Sequence, residues 1–273
     1  MIIERDGVAL HVVCEGNGET VVLLHGHTLD LRVWDDVAPA LVEAGFRVVR
    51  YDQRGHGRSG SPRGGYRWGD HAADLAAVIE RLAPPAAHVV GHSKGSGIAL
   101  ECALRRAHLV RSLGLVGPLV PDFRLPETMV ASFRELARAI RGRGVQPAMR
   151  ELWLAHPLIA TAAARPGLRE RLEAMLLTFP AGEYLASVRD MPDRDWKVTD
   201  RLAEIAVRTL VVRGEREVPE FVAMADFLGG SIPQARLKVV PGSGHLVPLE
   251  EAAALSQTLV GFLRVRDVSI RPV

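Results

Sequence analysis

Short apolar runs alternate with amphipathic segments along most of the chain. The run 20–24 is almost continuously apolar, and further strand-like runs occupy 8–14, 46–51, 86–90 and 110–116. Strands that are apolar along their whole length are buried on both faces, as in a mostly parallel sheet between two layers of helices. Helical periodicity falls between these runs, at 33–44, 71–82 and 98–107. The alternation predicts an α/β fold with a doubly wound, mostly parallel sheet.

The alternation is interrupted between about residues 118 and 200. Helical periodicity is found there at 129–141, 147–155, 168–179 and 183–189, without a strand pattern. Strand and helix patterns then resume at 209–213, 219–228, 236–240 and 249–263, and 265–273 is expected to be a loose tail. We therefore expect an α/β core formed by residues 1–117 and 201–273. A helical cap, residues 118–200, is expected over the strand ends.

One motif lies where an apolar run meets a helical pattern. It reads Gly91-His92-Ser93-Lys94-Gly95 and matches Gly-x-Ser-x-Gly, a sharp turn that holds a serine out over the end of a sheet. The backbone N–H of Lys94, at the start of the following helix, would then stabilise an oxyanion. A phosphate-binding loop is excluded because Lys94 precedes Gly95 and the Gly-Lys-Ser/Thr order is missing.

An activated serine needs a base, and the base needs a carboxylate to orient it. His245 is the favoured base because it lies in a glycine-rich loop directly after a predicted strand. The loop 214–219, after the preceding predicted strand, provides two candidate carboxylates, Glu215 and Glu217. The order serine, acid, histidine is that of one class of hydrolases.

The order of these motifs resembles the α/β-hydrolase superfamily from about residue 8 to 264. It is most similar to small capped serine hydrolases of the 3-oxoadipate enol-lactonase and cofactor-free haloperoxidase types. The resemblance implies that Glu217 occupies the position where relatives carry the triad Asp. It also implies that the backbone N–H of His27 is the second oxyanion donor and that the polar run 52–59 is a structural turn. The pair His25 and His27 also fits a metal site, but no further ligand cluster supports this interpretation.

The expected reaction is hydrolysis of a small ester, lactone or related carbonyl compound through an acyl-enzyme, with a Ser93–His245–Glu217 triad and no cofactor or metal. The alternative is a non-hydrolytic member of the fold (a lyase, cyclase or perhydrolase of secondary metabolism) or a ligand-binding receptor. Candidate substrate-binding side chains are Trp34, Trp153, His156 and Phe133, with Met129 and Phe179 as further candidates for the pocket lining.

Lys94 is the residue directly after the predicted nucleophile, at a position where many members of the family that this sequence resembles carry Met, Leu or Gln. Its ammonium either faces the pocket, which would favour an anionic substrate, or reaches the surface or a carboxylate partner. These alternatives stay open at the level of the sequence.

Composition limits the classes of partner and of cellular compartment that we expect. Lysine and arginine number 34 against 32 aspartate and glutamate, so charge does not indicate a nucleic-acid partner. Cys14 and Cys102 are isolated and indicate buried thiols in a reducing compartment. The chain shows no secretory signal pattern and no apolar segment of about 18 residues. We expect a soluble, cytoplasmic protein with a small-molecule substrate and no membrane partner; a homo-oligomer is possible.

Overall fold

A computed structural model describes residues 1–188 and 195–265. Eight strands form one sheet in the order β1-β2-β4-β3-β5-β6-β7-β8. Their bounds are β1 Ile2–Arg5, β2 Val8–Glu15, β3 Thr20–Leu24, β4 Arg47–Tyr51, β5 Ala87–His92, β6 Val110–Val116, β7 Thr209–Gly214 and β8 Ala235–Val240. Strands β3 to β8 pair in parallel, and β1 and β2 pair antiparallel at one edge. This arrangement confirms the predicted fold class.

Helices connect the strands and cover the sheet. Their bounds are α1 Ala38–Glu43, α2 Trp68–Leu82, α3 Lys94–Arg105, α4 Glu127–Arg143, α5 Val145–Ala148, α6 Pro157–Ala163, α7 Leu168–Leu176, α8 Gly182–Leu185, α9 Pro219–Ser231, α10 Val247–Glu250 and α11 Ala252–Leu263. A π-helical segment, Met149–Trp153, follows α5, and 3₁₀ turns span Leu31–Trp34, Ala107–Leu109 and Leu202–Glu204. None of the helices in the two described ranges combines the length and apolar character needed to cross a membrane.

The centre of the sheet is formed by β3 and β5, which are buried along their full length. The apolar side chains of these strands pack against helices on both faces, and this packing makes the hydrophobic core. Ligands of such sheets bind at the carboxyl ends of the strands. The loops after β3, β5, β7 and β8 are therefore the ones that position a site.

The region between β6 and β7 contains only helical elements among its described residues, which is where the sequence predicts the cap. We use the name cap helices for α4 to α8; the boundaries at residues 118 and 200 stay predictions. The structure adds α6, for which the sequence predicts no element. The helix expected at 183–189 is the single turn α8, and residue 189 lies outside the described residues.

The other differences concern element ends. The helix predicted at 33–44 is divided into a 3₁₀ turn and α1, which begins with Pro39 in its first turn. Strand β1 was not predicted because its four residues show no clear alternation. Most of the tail predicted at 265–273 lies outside the described residues.

Candidate active site

Ser93 lies at the sharp turn between β5 and α3. Its backbone has φ 52° and ψ −117°, a conformation that residues with a side chain rarely adopt. A Cβ on Gly91 would lie 2.2 Å from the carbonyl oxygen of Gly95, and a Cβ on Gly95 would lie 2.6 Å from the carbonyl oxygen of Leu24. The two glycines are therefore required for the close approach of strand and helix. The N–H of Ser93 donates to the carbonyl of Val116 on β6 (2.9 Å), which holds the turn against the sheet.

His245 and Glu217 form a buried pair at the ends of β8 and β7. The distance from His245 Nδ1 to Glu217 Oε2 is 2.9 Å, and both side chains are almost fully buried. The second carboxylate oxygen, Oε1, accepts the N–H of Val218 at 3.0 Å. With Nδ1–H donating to the carboxylate, Nε2 is the ring nitrogen left to accept a proton. His245 and Ser93 line the same cavity.

The structure distinguishes the two acids that the sequence left open. The Glu215 side chain is exposed, and its Oε2 accepts the N–H of Gly242 at 2.9 Å. It therefore supports the loop before His245, whereas Glu217 contacts the imidazole itself.

Glu250 supports the histidine loop and was not found from the sequence. Its Oε2 accepts the N–H of Gly244 (2.8 Å) and its Oε1 accepts the N–H of Leu246 (3.0 Å). Burial raises the pKa of this carboxyl above its ordinary value, and the two N–H donors oppose that effect. A glutamate five residues after the histidine, the last residue of α10, is the only signal that the sequence carries.

His27, in the loop after β3, and Lys94, the residue after Ser93, line the same cavity as the candidate nucleophile. A Cβ on Gly26 would lie 3.2 Å from Ser93 Cβ, so the loop after β3 touches the turn directly. Within residues 1–188 and 195–265, neither N–H donates to a protein acceptor. Both therefore stay candidates for the donors of an oxyanion hole.

The ring of His27 serves a different purpose from its backbone. Its Nε2 lies 2.5 Å from the hydroxyl of Tyr184 on α8. Burial, assisted by the nearby Lys94 ammonium, lowers the pKa of His27 to about 4. The imidazole is therefore neutral near pH 7. His25, by contrast, uses both ring nitrogens on protein atoms: Nδ1 contacts the carbonyl of Gly26 and Nε2 accepts the N–H of Gln53.

A cavity of about 410 Å³ opens above Ser93 and His245. Most of its described lining is apolar or aromatic and comes from the loop after β6 and from the cap: Leu119, Val120, Phe123, Leu125, Phe133, Trp153, Leu158, Ile159, Tyr184, together with Leu29, Trp68 and Phe221. The predicted lining residues Trp153 and Phe133 are among them. Trp153 is held by a hydrogen bond from its Nε1–H to Thr28 Oγ1 (2.7 Å).

Two predicted substrate contacts, Trp34 and His156, lie outside the lining of the cavity. Trp34 is completely buried in the core and does not line the cavity. His156 stacks on Trp153 with a ring separation of 4.5 Å, and its Nδ1 accepts the N–H of Leu158 at the start of α6 (3.3 Å). It therefore supports a lining residue and caps a helix. Met129 and Phe179 are buried within the cap and are likewise absent from the lining.

The sequence missed Trp68, Phe123, Tyr184 and Phe221, which all line the cavity. They come from separate elements, and their convergence is a tertiary property. The polar run 52–59 forms a turn that Asp52 holds together. Asp52 accepts the N–H of Leu31 (2.9 Å) and of Arg58 (2.9 Å).

The Lys94 side chain pairs with a carboxylate. Its Nζ lies 2.5 Å from Glu183 Oε2 on α8, and both residues line the cavity. Both alternatives raised by the sequence therefore hold in part. Lys94 lines the cavity, and its ammonium has a carboxylate partner there.

Comparison with known proteins identifies the family. Residues 19–252 match the model of the family described as alpha/beta hydrolase fold, and the chain belongs to this family. The membership confirms the predicted fold and the prediction of an enzyme of the α/β-hydrolase type.

Individual relatives are moderately similar over almost their whole length. The chain is 30% identical to the putative carbamate hydrolase RutD of Variovorax paradoxus, covering 93% of this chain and 96% of that protein. It is 27% identical to the non-heme haloperoxidase of Rhodococcus erythropolis, covering 96% and 98%. Among solved structures, a thermophilic esterase from Thermogutta terrifontis matches with a TM-score of 0.81 and 26% identity, covering 96% of both chains. These matches agree with the resemblance seen in the motifs.

Proposed function

We propose that this chain is a serine hydrolase that cleaves a small ester, lactone or related carbonyl substrate through an acyl-enzyme. The observation that carries the proposal is the buried contact of 2.9 Å between His245 Nδ1 and Glu217 Oε2. This contact orients an imidazole in the cavity that also contains Ser93. A base oriented by a carboxylate, next to a serine on a strained turn, is the arrangement that activates a hydroxyl for attack.

In the first half of the reaction, His245 Nε2 takes the proton of Ser93 as Oγ attacks the substrate carbonyl. The negative charge that develops on the carbonyl oxygen is stabilised by the N–H groups of His27 and Lys94. Glu217 stabilises the imidazolium that forms. His245 then gives the proton to the leaving oxygen, and the acyl group stays on Ser93.

In the second half, a water molecule loses a proton to His245 Nε2 and attacks the acyl-enzyme carbonyl. The same two N–H groups stabilise the second tetrahedral oxyanion. The proton returns to Ser93 Oγ as the carbon–oxygen bond to the serine breaks and the acid product leaves. Every step uses only side chains and backbone groups of this chain and water.

Two further observations support an ester or lactone as substrate. The cavity wall is mostly apolar, and Ser93, His27 and His245 are among its polar lining residues, which suits a small acyl group with one reactive carbonyl. Among the relatives, one is named an esterase and another a putative carbamate hydrolase. Both names describe cleavage at a carbonyl carbon.

The test is hydrolysis of p-nitrophenyl esters from acetate to octanoate, with Ser93→Ala as the comparison. We expect turnover in the wild-type protein, loss of that turnover in Ser93→Ala, and labelling of Ser93 by a fluorophosphonate. Full activity in Ser93→Ala would contradict the mechanism. An inactive wild type whose Ser93 does not react with the fluorophosphonate would favour the non-hydrolytic or receptor alternative.

A further inference from the structure

The loop that carries one proposed oxyanion donor is a tight turn with an unusual residue at its third position. The N–H of Leu29 donates to the carbonyl of Gly26 (3.4 Å) and closes the turn 26–29, which we call the oxyanion loop. Thr28, the third residue, has φ 63°. Turns with a positive φ at this position normally carry Gly or Asn there, because a side chain that branches at Cβ is strained in this conformation. A threonine here therefore needs contacts that offset the strain.

The hydroxyl of Thr28 makes two hydrogen bonds in the interior. It donates to the carbonyl of His27 (2.6 Å), and it accepts the indole N–H of Trp153 (2.7 Å). Thr28 is 1% exposed and Trp153 is 3% exposed, so neither group has water as a substitute partner. A chain of two short hydrogen bonds therefore runs from the cap to the main chain of the oxyanion loop.

Hydrogen bonds hold the peptide groups on both sides of the His27 Cα. The preceding peptide carries the candidate oxyanion N–H, and its carbonyl, that of Gly26, lies 2.8 Å from Nδ1 of His25. His25 Nε2 accepts the N–H of Gln53, so Nδ1 carries the proton and donates it to that carbonyl. The following peptide is held by the hydroxyl of Thr28. The direction of the His27 N–H is therefore fixed from two sides, and one of them depends on the cap.

Trp153 lies at a local irregularity of the cap. It is the last residue of the π-helical segment Met149–Trp153, after which the N–H of Leu154 donates to the carbonyl of Met149, five residues earlier (2.9 Å). Such π-helical turns are rare and occur frequently at functional sites. The indole ring also lines the cavity above Ser93. One side chain therefore forms part of the cavity wall with its ring and holds the oxyanion loop with its N–H.

We propose that Trp153 is a positioning residue for the oxyanion hole. Its indole N–H, acting through the hydroxyl of Thr28, fixes the main chain of His27 in the direction that stabilises the tetrahedral intermediate. Alignment of this donor acts on kcat, because the oxyanion exists only on the way to and from that intermediate. The ring, by contrast, contacts the acyl group in the bound substrate as well and acts on KM. This inference rests on the proposed hydrolase function and adds a residue to its machinery.

Trp153→Phe tests the proposal because it removes the N–H and keeps an aromatic wall. With p-nitrophenyl butyrate, kcat per fluorophosphonate-reactive site should fall about 10- to 100-fold, as expected for a misaligned donor, with little change in KM. Counting reactive sites excludes misfolded protein from the comparison.

Inhibition by 1,1,1-trifluoro-2-octanone is the second readout. Ser93 Oγ adds to its carbonyl carbon, the serine proton passes to His245 Nε2, and the carbonyl oxygen becomes an oxyanion that the hole has to stabilise. In Trp153→Phe the Ki for this ketone should rise by about the same factor as kcat/KM for the ester falls, because both report the stability of a tetrahedral oxyanion.

Two variants of Thr28 and a distant tryptophan complete the test. Thr28→Val removes the hydroxyl that both hydrogen bonds use and should lower kcat at least as much as Trp153→Phe. Adding Trp153→Phe to Thr28→Val should cost less than it does in the wild type, since both break the same chain. Thr28→Ser keeps the hydroxyl and should restore most of the kcat lost in Thr28→Val. The matched control is Trp196→Phe: its indole N–H donates to Glu101 (2.8 Å), outside the lining of this cavity, and wild-type kcat and Ki are expected.

The outcomes separate this inference from the proposed function. If the wild type shows no Ser93-dependent ester hydrolysis, the hydrolase function fails and this inference fails with it. If the wild type is active but Trp153→Phe keeps its kcat and Ki, or changes only KM, the positioning role alone is overturned and Trp153 is a wall residue. An equal loss of kcat in Trp196→Phe would overturn it too, because the loss would then not depend on the contact with Thr28.

Discussion

The carboxylate of Glu250 holds the two peptide groups on either side of His245. One oxygen accepts the N–H of Gly244 and the other accepts the N–H of Leu246. The side chain of Glu250 is fully buried, so neither peptide group has water as a substitute. Arg165, from the segment between α6 and α7, donates to the carbonyls of Glu250 and Gly242 and so connects the cap to this loop.

Glu250→Gln tests whether this carboxylate positions the proposed base. An amide has one acceptor oxygen, so one of the two N–H groups would lose its partner, at a cost of about 1–3 kcal/mol in the free energy of unfolding. A shift of His245 should lower kcat by about 10- to 100-fold with little change in KM. The measurements are ester kinetics, the rate of fluorophosphonate labelling of Ser93, and urea unfolding.

Glu251→Gln is the control for this prediction. Its carboxylate contacts Arg165 but neither peptide group beside His245. We expect wild-type kcat and labelling rate. Equal losses of kcat in the two variants would show that the loop needs the ion pairs with Arg165 rather than the contact from Glu250.

Glu217→Gln tests the proposed triad acid. The amide can still contact His245 Nδ1 but does not favour the required tautomer or stabilise an imidazolium. We expect kcat to fall on the order of 10³-fold or more, with KM little changed. Glu215→Gln removes a carboxylate two residues away that contacts only the Gly242 N–H in this region. It should stay close to wild type, and the reverse pattern would assign the acid to Glu215.

The sequence predicted the elements whose burial is uniform. The observed bounds of β3, Thr20–Leu24, are those predicted, because a strand covered on both faces is apolar almost from end to end. The bounds of β6, Val110–Val116, are also those predicted, although its Arg111 is exposed. Short elements of the cap are harder to predict from the sequence. Helix α6 has only seven residues, about two turns, and is capped by a histidine, so it presents no usual cap residue and is too short to show a clear helical pattern.

The site was predictable where a motif carries the chemistry. Ser93 and its two glycines are local features of one turn, and the structure shows the strain that the motif implies. The lining of the cavity was not predictable, because it depends on which aromatic side chain the tertiary structure turns inward. Trp34 and Trp153 have equal hydrophobicity, yet one lies in the core and the other in the cavity wall.

Substitution of these two tryptophans should separate stability from specificity. Trp153→Ala enlarges the cavity and should shift the preferred p-nitrophenyl ester toward longer acyl chains. Trp34→Phe should destabilise the fold by about 1–3 kcal/mol and leave the chain-length profile unchanged. Chain-length profiles and urea unfolding of both variants provide the check. A changed profile in Trp34→Phe would return that residue to the list of substrate contacts.

Buried histidines should make the protein less stable as the pH falls. Burial lowers the pKa of His156 from 6.5 to about 4, and lowers that of His92 to about 3. These groups stay neutral in the folded state while the unfolded chain takes up protons below pH 6.5. Unfolding therefore binds protons in this window, and stability falls from about pH 6.5 toward pH 4 by up to about 1.4 kcal/mol per pH unit for each group.

His156→Asn tests this dependence at a residue outside the proposed chemistry. Asparagine does not titrate, and its side-chain oxygen can accept the Leu158 N–H at the start of α6, as the imidazole does. Loss of the stacking on Trp153 should lower stability at every pH, whereas the slope between pH 6.5 and 4 should become shallower by about one proton. His108→Asn, at an exposed position, should keep the wild-type slope. Unfolding curves across this range are the measurement, and a His156→Asn slope parallel to that of the wild type would show that His156 takes up its proton equally in both states.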